Sequence, residues 1–129
     1  MQVVDPHIHL WNPQTDYYPW IAKPGRTFMG DYGAITGKHE VSEFLADAGE
    51  IEVLKTVHVE AAHDPADPLA ETTWLQSLAR EPGSRGIPHG IVAAANLADP
   101  DIERLLAAHA GYPNVRGIRQ ILNVHPDPF

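Results

Sequence analysis

The chain of 129 residues contains no cysteine, which excludes disulfide bonds and thiolate chemistry. No apolar run approaches the roughly 20 residues of a membrane-spanning helix, and Asp5 follows Val3-Val4 at once, which argues against a signal peptide. Positive charge is scarce, and the net charge of −8 argues against binding to the phosphate backbone of a nucleic acid. We therefore expect a cytoplasmic protein whose partners are neither membranes nor nucleic acids.

What remains is the composition of one globular domain. Hydrophobic residues make up 43% of the chain and charged residues 20%, and the length is sufficient for a single core. The negative charge does not argue against a small anionic substrate, because a few arginines can reverse the potential inside a pocket.

Four segments have the β-branched content or the alternation of strands, and three have the spacing of helices. The predicted strands are residues 2–9, 52–60, 87–95 and 114–122. The first predicted helix covers residues 40–48 and ends at Gly49; the last begins at Asp99-Pro100 and ends at Gly111. Between them, a helix through about Arg80 has two possible starts, Asp64-Pro65 and Asp67-Pro68.

Residues 10–38 are predicted to form a long loop rich in aromatic side chains. A loop of this length is uncommon unless it is functional or disordered, and its aromatic residues favour an ordered segment. It either covers an edge of the core or closes over a substrate.

The predicted order is β-α-β-α-β-α-β, which is typical of an α/β fold with a parallel sheet and helices packed outside it. The sequence has no glycine fingerprint after the first strand and no P-loop. This lowers the expectation of a doubly wound nucleotide-binding fold and favours a barrel.

The first strand ends in Asp5-Pro6-His7-Ile8-His9. Side chains alternate along a strand, so Asp5, His7 and His9 are predicted to share one face. Two imidazoles placed two residues apart can bind one divalent metal ion. With 8 histidines in the chain, the spacing alone is weak evidence. The position at a strand end strengthens the metal hypothesis, because ligands bind at the strand ends of parallel α/β folds.

Other ionisable residues are predicted to gather at the same strand ends. His58 and Glu60 end the second strand on one face, and Arg119 and Gln120 lie near the end of the fourth. Glu60 either forms a salt bridge with Arg119 or Arg116, or contacts a substrate or metal. Arg119 either belongs to that salt bridge or binds a carboxylate in bidentate fashion.

The other histidines have several predicted roles. His58 is interpreted as a core histidine rather than a ligand. His39 and His109 are interpreted as structural, and no role is assigned to His63, His89 or His125.

Three separated segments resemble the amidohydrolase-related family of the amidohydrolase superfamily, in the correct order. They are Asp5-Pro6-His7-Ile8-His9-Leu10-Trp11, Val57-His58-Val59-Glu60-Ala61-Ala62 and Val115-Arg116-Gly117-Ile118-Arg119-Gln120. The nearest branch by resemblance contains the sugar lactonases and the 2-pyrone-4,6-dicarboxylate hydrolase. The resemblance spans essentially the whole chain and implies a TIM (β/α)₈ barrel, of which residues 1–129 form the first four βα units as one incomplete domain.

The resemblance also implies roles for single residues. His7 and His9 correspond to metal ligands, with zinc the first expectation. Glu60 and Arg119 correspond to residues at the substrate; Gln120 and Trp11 lie in the matching segments and are also expected to contact it. The family's general base and remaining ligand lie beyond the position of Phe129.

The implied activity is the opening of a lactone, of a sugar acid or a carboxylated ring, by a metal-activated water. One alternative is a non-catalytic half-barrel that forms a homo-oligomer or binds a complementary half, because its sheet would have two open edges. A further alternative within the family is a metal-dependent decarboxylase.

Overall fold

A single parallel sheet organises the computed structural model, which describes residues 1–22 and 30–122. Its strands are β1 (Gln2–Ile8), β2 (Glu52–Val59), β3 (Gly90–Ala94) and β4 (Val115–Arg119). They lie side by side in the order β1-β2-β3-β4, and every pair is parallel. A doubly wound sheet reverses its strand order at a switch point. The sequential order therefore agrees with the predicted barrel.

Each connection between neighbouring strands contains a helix. The helices are α1 (Pro19–Ala22), α2 (Val41–Ala48), α3 (Ala70–Leu78) and α4 (Ile102–Ala110), and single 3₁₀ turns lie at Gly33–Ile35 and Pro82–Ser84. The predicted order of strands and longer helices is confirmed. Residues 10–38, predicted as a loop, contain α1 and the first 3₁₀ turn, while residues 23–29 lie outside the described part of the chain.

The strand and helix ends differ from the predictions by a few residues, most clearly in β3, β4 and α3. β3 begins at Gly90 rather than at residue 87, because Pro88 has no amide hydrogen for the ladder. β4 is shorter than residues 114–122 at both ends. Of the two possible starts of α3, the second is used: Asp67 Oδ1 accepts the amide of Ala70 at 3.2 Å.

The core lies between the sheet and the helices. Its buried members are Ile8, Leu10, Val41, Leu75, Leu78, Ile87, Ile91 and Ala93. Leu75 and Leu78 of α3 are buried in this core, and Trp74 packs against it while only partly buried. This packing fixes the helix-facing side of the sheet, so side chains of the other side and of the strand ends are available for a site.

No helix among residues 1–22 and 30–122 has the length and apolar character needed to cross a membrane.

Candidate functional site

His7 and His9 lie together at the end of β1. Their Nε2 atoms are 3.1 Å apart, and their ring centroids are 4.9 Å apart in an edge-on arrangement. The pairing of β1 with β2 is irregular between Asp5 and Ile8, yet the two imidazoles still meet on one side. The predicted proximity is thus confirmed, while the metal role stays a prediction.

The orientation of the His9 ring is set by the neighbouring strand. Its Nδ1 lies 2.7 Å from the carbonyl oxygen of Val59, and a carbonyl only accepts, so Nδ1 carries the proton and Nε2 a lone pair. Burial lowers the pKa of His9 below 6.5; the hydrogen bond to Val59 opposes this, and the charges of His58, His7 and Arg119 lower it further. His9 is therefore neutral at pH 7, the form that binds metals.

The geometry of the pair fits two ligands of one divalent ion. With zinc–nitrogen bonds of about 2.05 Å, nitrogens 3.1 Å apart subtend roughly 100° at the metal, between tetrahedral and octahedral values. Within residues 1–22 and 30–122, no group of three or more His, Cys, Asp or Glu side chains is placed to hold an ion. The pair would thus supply two positions of a metal site.

Glu60 and Arg119 form a buried ion pair across the ends of β2 and β4. Glu60 is only 3% exposed. Its Oε1 lies 2.7 Å from Arg119 Nε and 2.6 Å from Nη2, and Nη2 also donates to the Glu60 carbonyl at 2.7 Å. The other carboxylate oxygen accepts the amide of Ala62 at 2.8 Å.

This geometry decides one of the alternatives left open by the sequence. The salt bridge of Glu60 is made with Arg119, whereas Arg116 donates to the carbonyls of Pro113 and Val115. Arg119 is about one-third exposed, and within the described part of the chain its Nη1 makes no hydrogen bond. The ion pair leaves one guanidinium nitrogen available for a ligand.

His58 contacts a different part of the molecule from Glu60. Its Nδ1 accepts the amide of Leu10 at 3.1 Å, and its Nε2 lies 3.6 Å from Oε1 of Glu71 in α3. In the sheet it is paired with Ile91, a residue of the core, so it lies on the helix-facing side. His58 and Glu60, predicted to share one face, thus have separate partners. The interpretation of His58 as a core histidine agrees with its contacts.

Gln120 holds the loop after β3 to the end of β4. Its Oε1 accepts the amide of Leu97 at 3.0 Å, and its Nε2 donates to Asn96 Oδ1 at 3.2 Å. Its predicted contact with substrate remains untested. The contacts show a second role, which is to shape the rim of the sheet beside Arg119.

Trp11 belongs to an aromatic cluster that orders the loop after β1. Its Nε1 donates to the carbonyl of Gly37 at 2.7 Å, and its ring stacks on His39 with centroids 5.0 Å apart. Trp20 meets Trp11 edge-on and donates to the carbonyl of Ala61 at 2.9 Å. The loop is thereby bound to the end of β2, beside the candidate site, and the substrate contact of Trp11 stays a prediction.

The remaining histidines have local partners. The ring of His39 stacks on Trp11, His109 Nδ1 contacts Thr72 at 3.1 Å, and His89 Nδ1 accepts the amide of Thr56 at 3.3 Å. His63 Nε2 lies 3.5 Å from Asp16 Oδ1. His125 lies outside the described residues. The structural roles expected for His39 and His109 agree with these contacts.

Sequence reasoning missed Glu71. It is 3% exposed, and its Oε1 accepts the amide of Ala61 at 3.0 Å as well as facing His58. A glutamate in the first turn of a predicted helix normally indicates a solvated position, so the helical pattern carried no signal for this burial.

Comparison with known proteins finds similarity to a longer protein sequence and to a longer solved structure. The chain is 44% identical over 128 residues to the "Uncharacterized protein y4mH" of Sinorhizobium fredii (strain NBRC 101917 / NGR234), covering 97% of this chain and 41% of that protein. Among solved structures it is similar to an "Amidohydrolase 2 from Bifidobacterium longum subsp. infantis", with a TM-score of 0.63 and 19% identity. That match covers 97% of this chain and 42% of the other. No family model matches the sequence.

These findings establish the fold and its extent. The chain spans about two fifths of the length of both proteins. Its parallel strands and helices correspond to part of the barrel of an amidohydrolase, as the resemblance of the three motifs predicted. This structural similarity does not show that the chain belongs to the lactonase branch. The chain thus has the α/β fold of a partial TIM barrel, with its candidate site residues at the carboxyl ends of β1, β2 and β4.

Proposed function

We propose that this chain contributes part of the active site of an amidohydrolase-like hydrolase that opens a lactone of a sugar acid or of a carboxylated ring. The observation that carries the proposal is the convergence of the His7 and His9 Nε2 atoms at 3.1 Å, with the His9 tautomer set by Val59. The partial barrel and its amidohydrolase neighbour support the reaction class. A cytoplasmic location is part of the proposal and is supported by the lack of cysteine.

The proposed role of the histidine pair is to bind a metal ion. His7 and His9 would hold a divalent ion, with zinc the first choice, through their Nε2 atoms. When bound, such an ion polarises a carbonyl and lowers the pKa of a water ligand. The hydrogen bond from His9 Nδ1 to Val59 keeps the ring aimed at the ion and fixes the tautomer it requires.

Arg119 would bind the anionic part of the substrate. Its Nε and Nη2 are held by Glu60, so the guanidinium is pre-organised and Nη1 can donate to a carboxylate or to the developing oxyanion. Trp11 and Gln120 are proposed as further substrate contacts on the rim. The proton acceptor for the water would come from residues beyond Phe129, as the family resemblance implies.

Metal binding by the 129-residue chain tests the first step. Calorimetric titration with zinc should show binding in the wild type, and His7→Ala with His9→Ala should lower the affinity by about 100-fold, because both proposed ligands are lost. His39→Ala is the matched control, since its ring stacks on Trp11. Equal zinc affinity in all three proteins would contradict the proposed metal site.

Activity is best tested in a chimera in which this chain replaces the matching 41% of the Sinorhizobium protein, which then supplies the rest of the barrel. A panel of sugar-acid and carboxylated lactones should be hydrolysed, and the His7→Ala, His9→Ala chimera should be inactive. Equal hydrolysis by both chimeras would reject the catalytic role. Release of CO₂ from carboxylated rings without lactone opening would instead identify the decarboxylase alternative.

A second candidate function is that of an assembly module. Among the described residues β1 and β4 are the edges of the sheet, and Val4 on β1 is 59% exposed. Open edges with apolar side chains favour association, either with a complementary half-barrel or with a second copy of the chain. Sedimentation measurements should show concentration-dependent association. A monomer with a cooperative thermal transition at all concentrations would argue against this function.

A further inference from the structure

The carboxylate of Glu71 lies behind the candidate site, on the side of the helices. It belongs to the first turn of α3 and is buried, although that position of a surface helix is normally solvated. One oxygen, Oε1, accepts the amide of Ala61 at 3.0 Å and lies 3.6 Å from His58 Nε2. Burying a carboxylate costs free energy unless polar groups compensate its charge. These two contacts provide part of that compensation.

The protonation pattern of His58 follows from its hydrogen bond with Leu10. Because His58 Nδ1 accepts the amide of Leu10 at 3.1 Å, Nδ1 carries a lone pair and Nε2 carries the proton. Glu71 Oε1 lies 3.6 Å from that nitrogen, slightly beyond hydrogen-bond distance, and Nε2 has no hydrogen-bond partner among the described residues. Electrostatic attraction to the Glu71 oxygen therefore favours the one tautomer that can accept the Leu10 amide.

Both amides held in this way lie just beyond the strands. β1 ends at Ile8 and β2 at Val59, so the amides of Leu10 and Ala61 take their acceptors from side chains rather than from the sheet. Leu10 follows His9, and Ala61 follows Glu60. A single carboxylate oxygen is therefore connected to the backbone next to both residues of the proposed site.

We propose that Glu71 is a positioning residue, which fixes the ends of β1 and β2 through His58 and Ala61 and so holds His9 and Glu60 in place. Its effect on the zinc site rests on the proposed function, whereas its effect on the two strand ends does not. The buried phenol of Tyr18 lies within its field, since burial and then the charge of Glu71 raise the pKa of Tyr18.

Three variants separate positioning from a general contribution to stability. Glu71→Leu removes the acceptor at similar volume, while Glu71→Gln keeps an acceptor oxygen, which is sufficient because one oxygen makes both contacts. Gln76→Leu is the matched control: Gln76 is buried on the same helix and accepts the amide of Asn114 at 3.0 Å, near the start of β4.

Nuclear magnetic resonance of the metal-free chain gives the decisive measurements. We expect histidine nitrogen shifts to report the Nε2–H tautomer of His58 in the wild type and in Glu71→Gln, and its loss in Glu71→Leu. Amide exchange at Leu10 and Ala61 should accelerate about 10-fold or more in Glu71→Leu and remain slow in Gln76→Leu. Identical exchange at both amides in Glu71→Leu and Gln76→Leu would overturn the proposal.

Zinc titration then separates this proposal from the proposed function. Glu71→Leu should bind zinc about 10-fold more weakly than Gln76→Leu, the lower end of effects seen for groups that orient ligands. If the wild type binds no zinc, the metal site fails while the exchange result still decides the role of Glu71. If Glu71→Leu does not fold, the wild-type tautomer decides: a His58 protonated at Nδ1 would disprove the connection.

Discussion

At the scale of single residues, the histidine pair shows what a sequence pattern can predict. Strand alternation places His7 and His9 on one face, and their Nε2 atoms indeed meet. The hydrogen bond from His9 to Val59 could not be predicted, because it depends on the register between β1 and β2. Glu71 could not be found for a similar reason: its buried carboxylate accepts the backbone amide of Ala61, which only the folded chain brings to it.

The ion pair of Glu60 and Arg119 gives a prediction about stability. Arg119→Met leaves the carboxylate of Glu60 buried without its partner, which we expect to lower the free energy of unfolding by about 3 kcal/mol. Replacing both residues, as Glu60→Gln with Arg119→Met, should restore part of this loss, because no buried charge is then uncompensated. Urea denaturation of the single and double variants measures both effects. A double variant less stable than Arg119→Met would contradict this explanation.

At the scale of elements, Asp-Pro pairs predict where helices begin, but they do not distinguish between two neighbouring starts. Asp64 accepts the amide of Ala66, forming a turn within the loop, whereas Asp67 accepts the amide of Ala70 at the start of α3. Both aspartates have the same local chemistry. The choice depends on which start allows Leu75 and Leu78 to reach the core, which is information from outside the segment.

The start of α3 can be tested against the start of α4. Asp67→Ala removes the acceptor of the Ala70 amide and should lower the free energy of unfolding by about 1 kcal/mol. Asp101 precedes α4 without a capping hydrogen bond from its side chain, so Asp101→Ala should cost less than about 0.5 kcal/mol. Thermal denaturation of the two variants provides the comparison. Equal losses would show that helix-dipole effects, rather than the Asp67 hydrogen bond, dominate.

At the scale of the whole molecule, alternation of strands and helices was sufficient to predict a parallel sheet and, without a glycine fingerprint, a barrel. The sequential strand order bears this out. The substrate could not be predicted in the same way. In TIM barrels it is selected by side chains and loops from several of eight strand ends, and the described chain provides four strands. The resemblance of the three motifs indicates a reaction class. The chemistry of the pocket in a TIM barrel also depends on the other strand ends.

Acid sensitivity is expected for the whole fold because of two histidines, His109, which is buried, and His89, which is half-buried. Burial lowers the pKa of His109 below 6.5, opposed by the nearby backbone of Ala94 and by the charge of Glu71. Burial also lowers the pKa of His89, assisted by Lys55. The unfolded chain then binds more protons than the folded chain as the pH falls below about 6.5. The free energy of unfolding should therefore be steady above pH 7 and decrease as the pH falls from 6.5 towards the lowered pKa values.

The range from about pH 7.5 to 5.5 isolates this effect, because ordinary carboxylates remain ionised throughout it. Urea denaturation across that range should show stability falling with acidity in the wild type and falling less steeply in His109→Gln. An amide is expected to replace the contact of His109 Nδ1 with Thr72 without titrating. His39→Gln, at the ring stacked on Trp11, is the control for loss of a histidine outside the core. Equal slopes in the wild type and His109→Gln would show that His109 does not contribute to the acid sensitivity. The proton uptake of His109 on unfolding is the only contribution that this variant removes.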